Sequence, residues 1–172
     1  MLAQWLGVHA PDRVRSLTVM SSSPMGHDPR PVWTRAQAGE PPDPDDLPPP
    51  TPAFLAHLDA GLPPGVASDM ALFRVFNGPV RPFDDRAARA MLELALSQAT
   101  DPAAARNHNR AVWLEDHTLL APLSSITAPT TVIHGDQDPL CPVAHGEALA
   151  AAIPGAVPHV VPGMGRVLTS PG

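Results

Sequence analysis

The sequence predicts an α/β fold of partial extent, with about three parallel strands, flanking helices and a helical insertion between the first strand and the second. Two observations predict this fold class. In the last third of the chain, aliphatic runs at residues 130–134 and 157–161 enclose a helical pattern, and a strand–helix–strand order implies parallel pairing. At the start of the chain, an apolar helical pattern runs directly into a third aliphatic strand.

Residues 1–24 form the first predicted unit, a helix followed by a strand. Apolar side chains recur near helical spacing over residues 1–10, and Pro11 ends the helix. Residues 13–20 are predicted to be a short strand, which stops at a serine-rich turn. Because the apolar helix is already under way at the first residue, we expect that covering segments upstream are missing. The apolar helical positions are Leu2, Trp5, Leu6 and Val8.

Residues 25–120 form the second predicted unit, a proline-rich loop and a helical lid. Residues 25–52 are predicted to be an extended linker, because each proline lacks an amide donor and fixes φ. Aliphatic patterns then predict short helices, and Asp101 followed by Pro102 is a strong start signal for the last of them. The predicted helices are residues 52–59, 66–76, 84–98 and 101–117.

Residues 121–172 form the third predicted unit, which holds the strand–helix–strand pattern. A strand at residues 130–134 leads into a turn rich in aspartate and proline, and a helix follows at residues 143–153. The last strand, residues 157–161, contains Pro158, which cannot donate to a ladder and therefore predicts either an edge position or a later start of the strand. A glycine-rich loop follows it.

Composition and charge exclude several classes of function. The net charge is -6 and the 11 basic residues are scattered, which argues against a nucleic-acid-binding surface. No apolar run approaches about 18 residues, so no membrane span is predicted, and the first residues lack a secretory signal pattern. The single Cys141 fits a reducing compartment. We therefore expect a cytoplasmic protein, and the use of arginine without any lysine suggests a bacterial source.

Two separate motifs resemble the α/β-hydrolase family. Residues 126–142, ITAPTTVIHGDQDPLCP, resemble the strand and turn that carry the family's catalytic acid, and residues 157–165, VPHVVPGMG, resemble the strand and loop before its catalytic histidine. Residues 1–24 resemble the helix and strand that follow the family's nucleophile elbow. Residues 25–120 fall where the family inserts its variable lid. Within the family, the chain looks most similar to the esterases related to aclacinomycin methylesterase.

The resemblance implies that Asp138 is the acid of a serine–histidine–aspartate triad. Such an acid fixes the tautomer of the histidine and stabilises its cation. Asp138 follows a parallel strand, where open α/β sheets place their sites, although an aspartate before proline is also an ordinary turn residue. Asp136 is the competing carboxylate. It fits the family pattern less well, and we predict a solvated turn residue there.

Arg166 stands where the resemblance places the catalytic histidine. Arginine stays protonated in proteins and cannot act as a base. His134 is predicted to be a packed or hydrogen-bonded core residue, and His145 does not match the catalytic position either. His159 lies within a strand and would be a poor substitute. The histidines and aspartates of this region do not reproduce a recognised metal-ligand spacing, so we expect no metal and no cofactor.

The family's nucleophile motif, G-x-S-x-G, occurs nowhere in the 172 residues. Ser21, Ser22 and Ser23 follow a strand but do not begin a helix, so they do not form a nucleophile elbow. The resemblance places the elbow directly before Met1. Our first interpretation is therefore a carboxylic-ester hydrolase that is truncated and inactive as this chain. The alternatives are a non-catalytic pseudoenzyme or binding module, and an unrelated small helical protein with a strand–helix–strand tail.

The expected substrate of an active full-length protein is a small apolar ester, because the predicted lid is rich in aliphatic and aromatic side chains. Core packing explains these side chains equally well. With few of the family's strands present, we also expect an unpaired apolar edge on the first strand, poor cover over Trp5 and Leu6, and a chain that is poorly soluble or needs a partner. The lid side chains are Leu72, Phe73, Phe76, Met91 and Trp113.

Overall fold

The computed structural model describes residues 1–63, 65–99 and 122–166. Within these ranges the chain forms six α-helices and one parallel sheet of three strands. The helices are α1 (Leu2–His9), α2 (Arg30–Gln37), α3 (Pro52–Asp59), α4 (Val66–Asn77), α5 (Asp85–Gln98) and α6 (Ala144–Ala152). The strands are β1 (Leu17–Met20), β2 (Thr130–Gly135) and β3 (Val157–Val161).

The three strands lie side by side in the order β1-β2-β3, and both pairings are parallel. Leu17 pairs with Thr130 at the start of the first ladder, and Thr131 pairs with Val157 at the start of the second. The predicted strand–helix–strand unit is thus confirmed. The first strand is shorter than predicted, because Pro11–Arg13 form a turn of 3-10 helix and the extended run begins only at Leu17.

One apolar core lies between the sheet and the helices α1 and α6. In β1 alternate residues are buried, as expected for a strand with one covered face. The central strand β2 contributes Val132, and α6 contributes Leu149, which is fully buried. Ile126, from the connector before β2, closes the cluster. The buried members are Leu17, Val19, Met25, Leu123, Ile126, Ala128, Val132, Leu149, Ala150 and Ile153.

The outer strands and helix α1 present apolar surface to solvent. In the described part of the chain β1 pairs with β2 alone. Helix α1 buries Gln4 and Gly7, whereas Leu2 is 73%, Trp5 43% and Leu6 39% exposed. The prediction of an open first edge with poor cover over Trp5 and Leu6 is confirmed for the described residues. Strand β3, with Pro158, forms the opposite edge, as the sequence predicts.

The prediction that residues 25–52 form a linker without regular structure is wrong in part, because α2 lies within them. A proline in the first turn of a helix costs no hydrogen bond and has a suitable φ, so Pro31 begins α2 rather than preventing it. Val32 is 2% exposed, and Trp33 contacts Phe54 edge-on, with ring centroids 6.0 Å apart. Burial of this small apolar face holds the helix.

Helices α3, α4 and α5 pack on one another beside the sheet. Their bounds match the predicted ones to within a residue. Asp84 caps α5, with its carboxylate accepting from the Ala87 amide at 2.9 Å. The predicted helix at residues 101–117 lies outside the described residues, and the division into core and lid stays a prediction. The buried contacts between α4 and α5 are made by Met70, Ala88 and Leu92.

Candidate functional site

Asp138 lies in the turn directly after β2, at the carboxyl end of the sheet. Its side chain is fully buried. One carboxylate oxygen, Oδ1, accepts from the backbone amides of Leu140 at 2.9 Å and Cys141 at 3.0 Å. Aspartate side chains commonly close turns in this way, by accepting from the backbone amides two and three residues later in the chain. The turn therefore fixes the carboxylate and leaves its second oxygen, Oδ2, facing the neighbouring loop.

Arg166 meets that second oxygen. Its Nη1 lies 3.1 Å from Asp138 Oδ2, and the arginine side chain is 25% exposed. The structure thus brings together the two residues that the sequence singled out, across 28 positions of chain. The carboxylate points toward residue 166, as expected for the acid of a triad, but it meets a guanidinium instead of an imidazole.

Helix α4 holds the loop that carries Arg166. The Arg166 amide donates to the Phe76 carbonyl at 2.7 Å, and the guanidinium lies over the Phe76 ring, 5.9 Å from its centroid. Gly165 allows this approach, because an added Cβ would overlap the Phe76 carbonyl oxygen. Phe76 also stacks on Phe54 at 5.8 Å. The predicted lid residue Phe76 therefore packs against the loop that carries Arg166.

His134 is the next-to-last residue of β2, and its ring lies beside the Asp138 carboxylate. It is 2% exposed, and its Nε2 lies 2.7 Å from the Cys141 carbonyl and 3.5 Å from Asp138 Oδ2. Since a carbonyl can only accept, Nε2 carries the proton. The ring packs on Gly146, where an added Cβ would overlap Nδ1. The prediction of a packed, hydrogen-bonded core histidine is confirmed, and the residue braces the turn that presents Asp138.

Asp136 and His159 lie apart from this arrangement. Asp136 is exposed, as predicted, but it also has a structural contact, since its Oδ1 accepts from the Gly163 amide at 2.7 Å. That bond ties the acid loop to the loop before Arg166. His159 is exposed on β3.

Burial raises the pKa of the Cys141 thiol, so this thiol beside Asp138 stays protonated near neutral pH.

A second polar cluster joins the end of β1 to α6. Ser23 Oγ lies 2.9 Å from His145 Nδ1, and His145 Nε2 lies 2.9 Å from the Pro48 carbonyl. Burial lowers the pKa of His145, while the Pro48 carbonyl acts in the opposite direction. The nearby His27 and His134 also lower this pKa, and Asp138 raises it. His145 therefore stays neutral near pH 7.

Among residues 1–63, 65–99 and 122–166, no group of three or more His, Cys, Asp or Glu side chains is placed to hold a metal ion. In the same ranges no helix has the length and apolar character needed to cross a membrane.

The family model for the alpha/beta hydrolase fold matches residues 1–168. A curated relative, the rhodomycin D methylesterase DnrP of Streptomyces peucetius, is 30% identical over 174 residues, covering 97% of this chain and 57% of that protein. Since the family match spans nearly all of the sequence, the chain belongs to the α/β-hydrolase family. It spans little more than half the length of this relative.

Solved structures agree on the fold. The meta-cleavage product hydrolase CumD of Pseudomonas fluorescens superposes with a TM-score of 0.58 at 16% identity, covering 96% of this chain and 53% of that one. The 2-hydroxy-6-oxo-6-phenylhexa-2,4-dienoate hydrolase BphD of a Rhodococcus strain gives 0.56 at 20% identity, covering 94% and 52%. Both likenesses concern the fold alone.

Sequence reasoning missed the partners that hold these groups in place. Ser23 and His145 are 122 positions apart, and no local pattern links them. Phe76 was predicted as an apolar lid residue, but its contact with Arg166 depends on how α4 folds back on the sheet. Gln4, which is fully buried, was hidden by its polarity in an apolar helix. The hydrogen bonds of the Gln4 side chain to the backbone of Ser23 and Met25 can be seen only in the folded chain.

Proposed function

We propose that this chain supplies the acid loop of a carboxylic-ester hydrolase, and that the chain as given performs no ester hydrolysis through a serine–histidine–aspartate triad. One observation carries the proposal. The buried Asp138 carboxylate meets Arg166 at 3.1 Å, in the place where the family resemblance puts a histidine. The likeness to a methylesterase supports the ester as the bond acted on by the full-length protein.

The geometry explains why this pair does not support triad chemistry. In a triad the acid accepts from the histidine, and the histidine takes the proton of the nucleophile. Arg166 stays protonated and accepts no proton. Both oxygens of Asp138 are already engaged, Oδ1 by two backbone amides and Oδ2 by the guanidinium. The carboxylate therefore has a stable cationic partner in place of a base.

The nucleophile and its oxyanion donors are proposed to come from outside these residues, since G-x-S-x-G is absent from the 172. Loss of triad members costs on the order of a million-fold in turnover. Loss of one oxyanion donor costs about 100- to 1000-fold. With losses of this size the chain has no triad activity. By truncated we mean that it lacks the nucleophile and the oxyanion donors.

A second candidate function is binding without turnover, in which the fold presents a ligand surface and Asp138 has no catalytic role. The Asp138–Arg166 ion pair favours it, because such a pair stabilises the loop rather than activating a nucleophile. The two proposals share the prediction of no triad chemistry in this chain. They differ in whether the full-length protein hydrolyses esters.

For the full-length protein we propose a small apolar ester as substrate, with residues 25–120 acting as its lid. Phe54, Phe76 and Trp33 form an aromatic cluster, and its Phe76 ring lies beside Arg166. We further propose a cytoplasmic bacterial protein that requires no cofactor. The Streptomyces relative and the arginine-only basic composition support the bacterial source.

The test measures hydrolysis of p-nitrophenyl butyrate by the wild-type chain, by Asp138→Asn and by Asp136→Asn. The Asp136 variant is the matched control, because it changes the same carboxylate to the same amide two residues away. We expect equal rates for all three proteins. A rate that falls more than about tenfold in Asp138→Asn, but not in Asp136→Asn, would show that the triad acid is functional and would overturn the proposal.

A further inference from the structure

The cluster at Ser23 has the geometry of an activated serine. Ser23 Oγ lies 2.9 Å from His145 Nδ1, and the other ring nitrogen of His145 lies 2.9 Å from the Pro48 carbonyl oxygen. A nucleophile beside a base, with the base oriented by a third group, is the general arrangement of nucleophilic catalysis. Here a backbone carbonyl takes the place of the usual carboxylate.

The hydrogen bonds fix the direction of each proton. The Pro48 carbonyl can only accept, so Nε2 of His145 carries the proton. The ring is neutral near pH 7, since burial lowers its pKa, and Nδ1 is therefore an acceptor. The Ser23 hydroxyl must then donate to Nδ1. His145 is 5% exposed, so water competes little for this bond, whereas Ser23 is partly exposed.

The backbone around Ser23 is held in place from below. Gln4 is fully buried. Its side-chain amide donates to the Ser23 carbonyl at 2.9 Å, and its oxygen accepts from the Met25 amide at 2.7 Å. Ser21 has a φ of 48°, a left-handed conformation that costs a non-glycine residue about 1 kcal/mol or more. Strain of this kind clusters at functional sites, and it turns the chain sharply at the carboxyl end of β1.

We propose that Ser23 is a nucleophile that accepts an acyl group from an activated carboxylic ester, with His145 as its general base. Oγ attacks the acyl carbon while its proton passes to His145 Nδ1. The bond from the acyl carbon to the leaving oxygen then breaks, and the proton on Nδ1 goes to the departing alkoxide. The products are an ester on Ser23 and a free alcohol. Water, activated by the same histidine, hydrolyses the acyl-serine in a slower step.

The Ser23–His145 pair shares no residue with the Asp138–Arg166 pair, and its chemistry does not depend on the proposed function. The test treats the chain with p-nitrophenyl acetate near neutral pH. Intact mass measures the addition of one acetyl group, and peptide fragmentation locates it. The proteins compared are wild type, Ser23→Ala, His145→Gln and Asp138→Asn. Ser125→Ala is the matched control, because the Ser125 hydroxyl also donates a hydrogen bond, at 2.8 Å, but to the backbone carbonyl of Pro122 and not to a histidine.

We expect acetylation at Ser23 in wild type, Asp138→Asn and Ser125→Ala, and none at this position in Ser23→Ala. His145→Gln should slow acetylation about 100-fold, the usual loss on removing a general base. Circular dichroism checks that each variant is folded. Absence of acetyl-Ser23 in folded wild type would overturn the proposal. An unchanged acetylation rate in His145→Gln would overturn it equally, and neither result requires Ser23→Ala to fold.

Discussion

Removing the guanidinium of Arg166 should destabilise the fold measurably. In Arg166→Ala the buried Asp138 carboxylate loses its partner at 3.1 Å, and the Phe76 ring loses the cation above it. Breaking a fully buried ion pair costs about 3–5 kcal/mol, because the remaining charge is left uncompensated. The cost here is lower, since Asp138 keeps two backbone donors and Arg166 is 25% exposed.

We therefore expect a loss of about 2 kcal/mol in the free energy of unfolding. For a chain of this size that corresponds to a fall in Tm of about 4–8 °C. The assay is urea unfolding followed by circular dichroism at low protein concentration, with a thermal scan beside it.

The matched control is Arg30→Ala. Arg30 also forms a close ion pair, with its Nη2 2.7 Å from Asp28 Oδ2, but the two side chains are 51% and 33% exposed. Exposed pairs contribute little, because water and salt screen them. We expect the control to unfold near the wild-type midpoint. Equal midpoints for Arg166→Ala and Arg30→Ala would refute the reasoning that burial makes the Asp138 pair important.

Three further predictions concern the edge, the buried histidine and a glycine contact. The chain should self-associate through its open first edge, where Met20 of β1 is 43% exposed, so Met20→Glu should raise the monomer fraction in sedimentation. Leu62→Glu, at a site 44% exposed outside the sheet, should not; a monodisperse wild-type monomer would count against this. The folded state lowers the pKa of His145 below its ordinary 6.5, so the unfolded state binds more protons, and stability should fall as pH drops below about 6.5. His145→Gln should flatten the urea midpoint over that range, and an unchanged pH dependence would contradict the assignment. Gly165→Ala should cost about 3 kcal/mol by overlap with the backbone of α4, whereas Gly155→Ala, which has open space around it, should cost only about 1 kcal/mol for its positive φ; similar urea midpoints for the two would be contrary evidence.

The sheet could be predicted from the sequence because its signals are local. The aliphatic runs at 130–134 and 157–161 are joined by a helix. A right-handed crossover of this length between two strands of one sheet makes the strands parallel. The resemblance to the α/β-hydrolase family also implied that Asp138 and Arg166 occupy neighbouring positions, in loops at the carboxyl ends of two strands. Pro158 predicted the edge position of β3, because proline has no backbone N–H to donate to a neighbouring strand.

The remaining features depend on contacts between distant segments. Helix α2 was missed because prolines usually interrupt helices, and only burial of Val32 shows that this segment has a core to pack on. Gln4 is buried in α1 although it lies outside the predicted apolar pattern, and its side-chain amide bonds to the backbone of the turn after β1. For His145 the sequence shows only that it does not match the position of the catalytic histidine. Its partners Ser23 and Pro48 lie about a hundred residues earlier in the chain, and no local pattern connects them to it.

The proposed absence of triad chemistry depends most on the engagement of the Asp138 carboxylate by the Arg166 guanidinium. Nuclear magnetic resonance of the arginine side-chain N–H groups tests this directly, because a guanidinium in a stable ion pair exchanges its protons slowly with water. We predict a slowly exchanging guanidinium signal from Arg166 that is lost in Asp138→Asn and kept in Asp136→Asn. A signal from Arg166 that stays the same in Asp138→Asn would contradict the central claim.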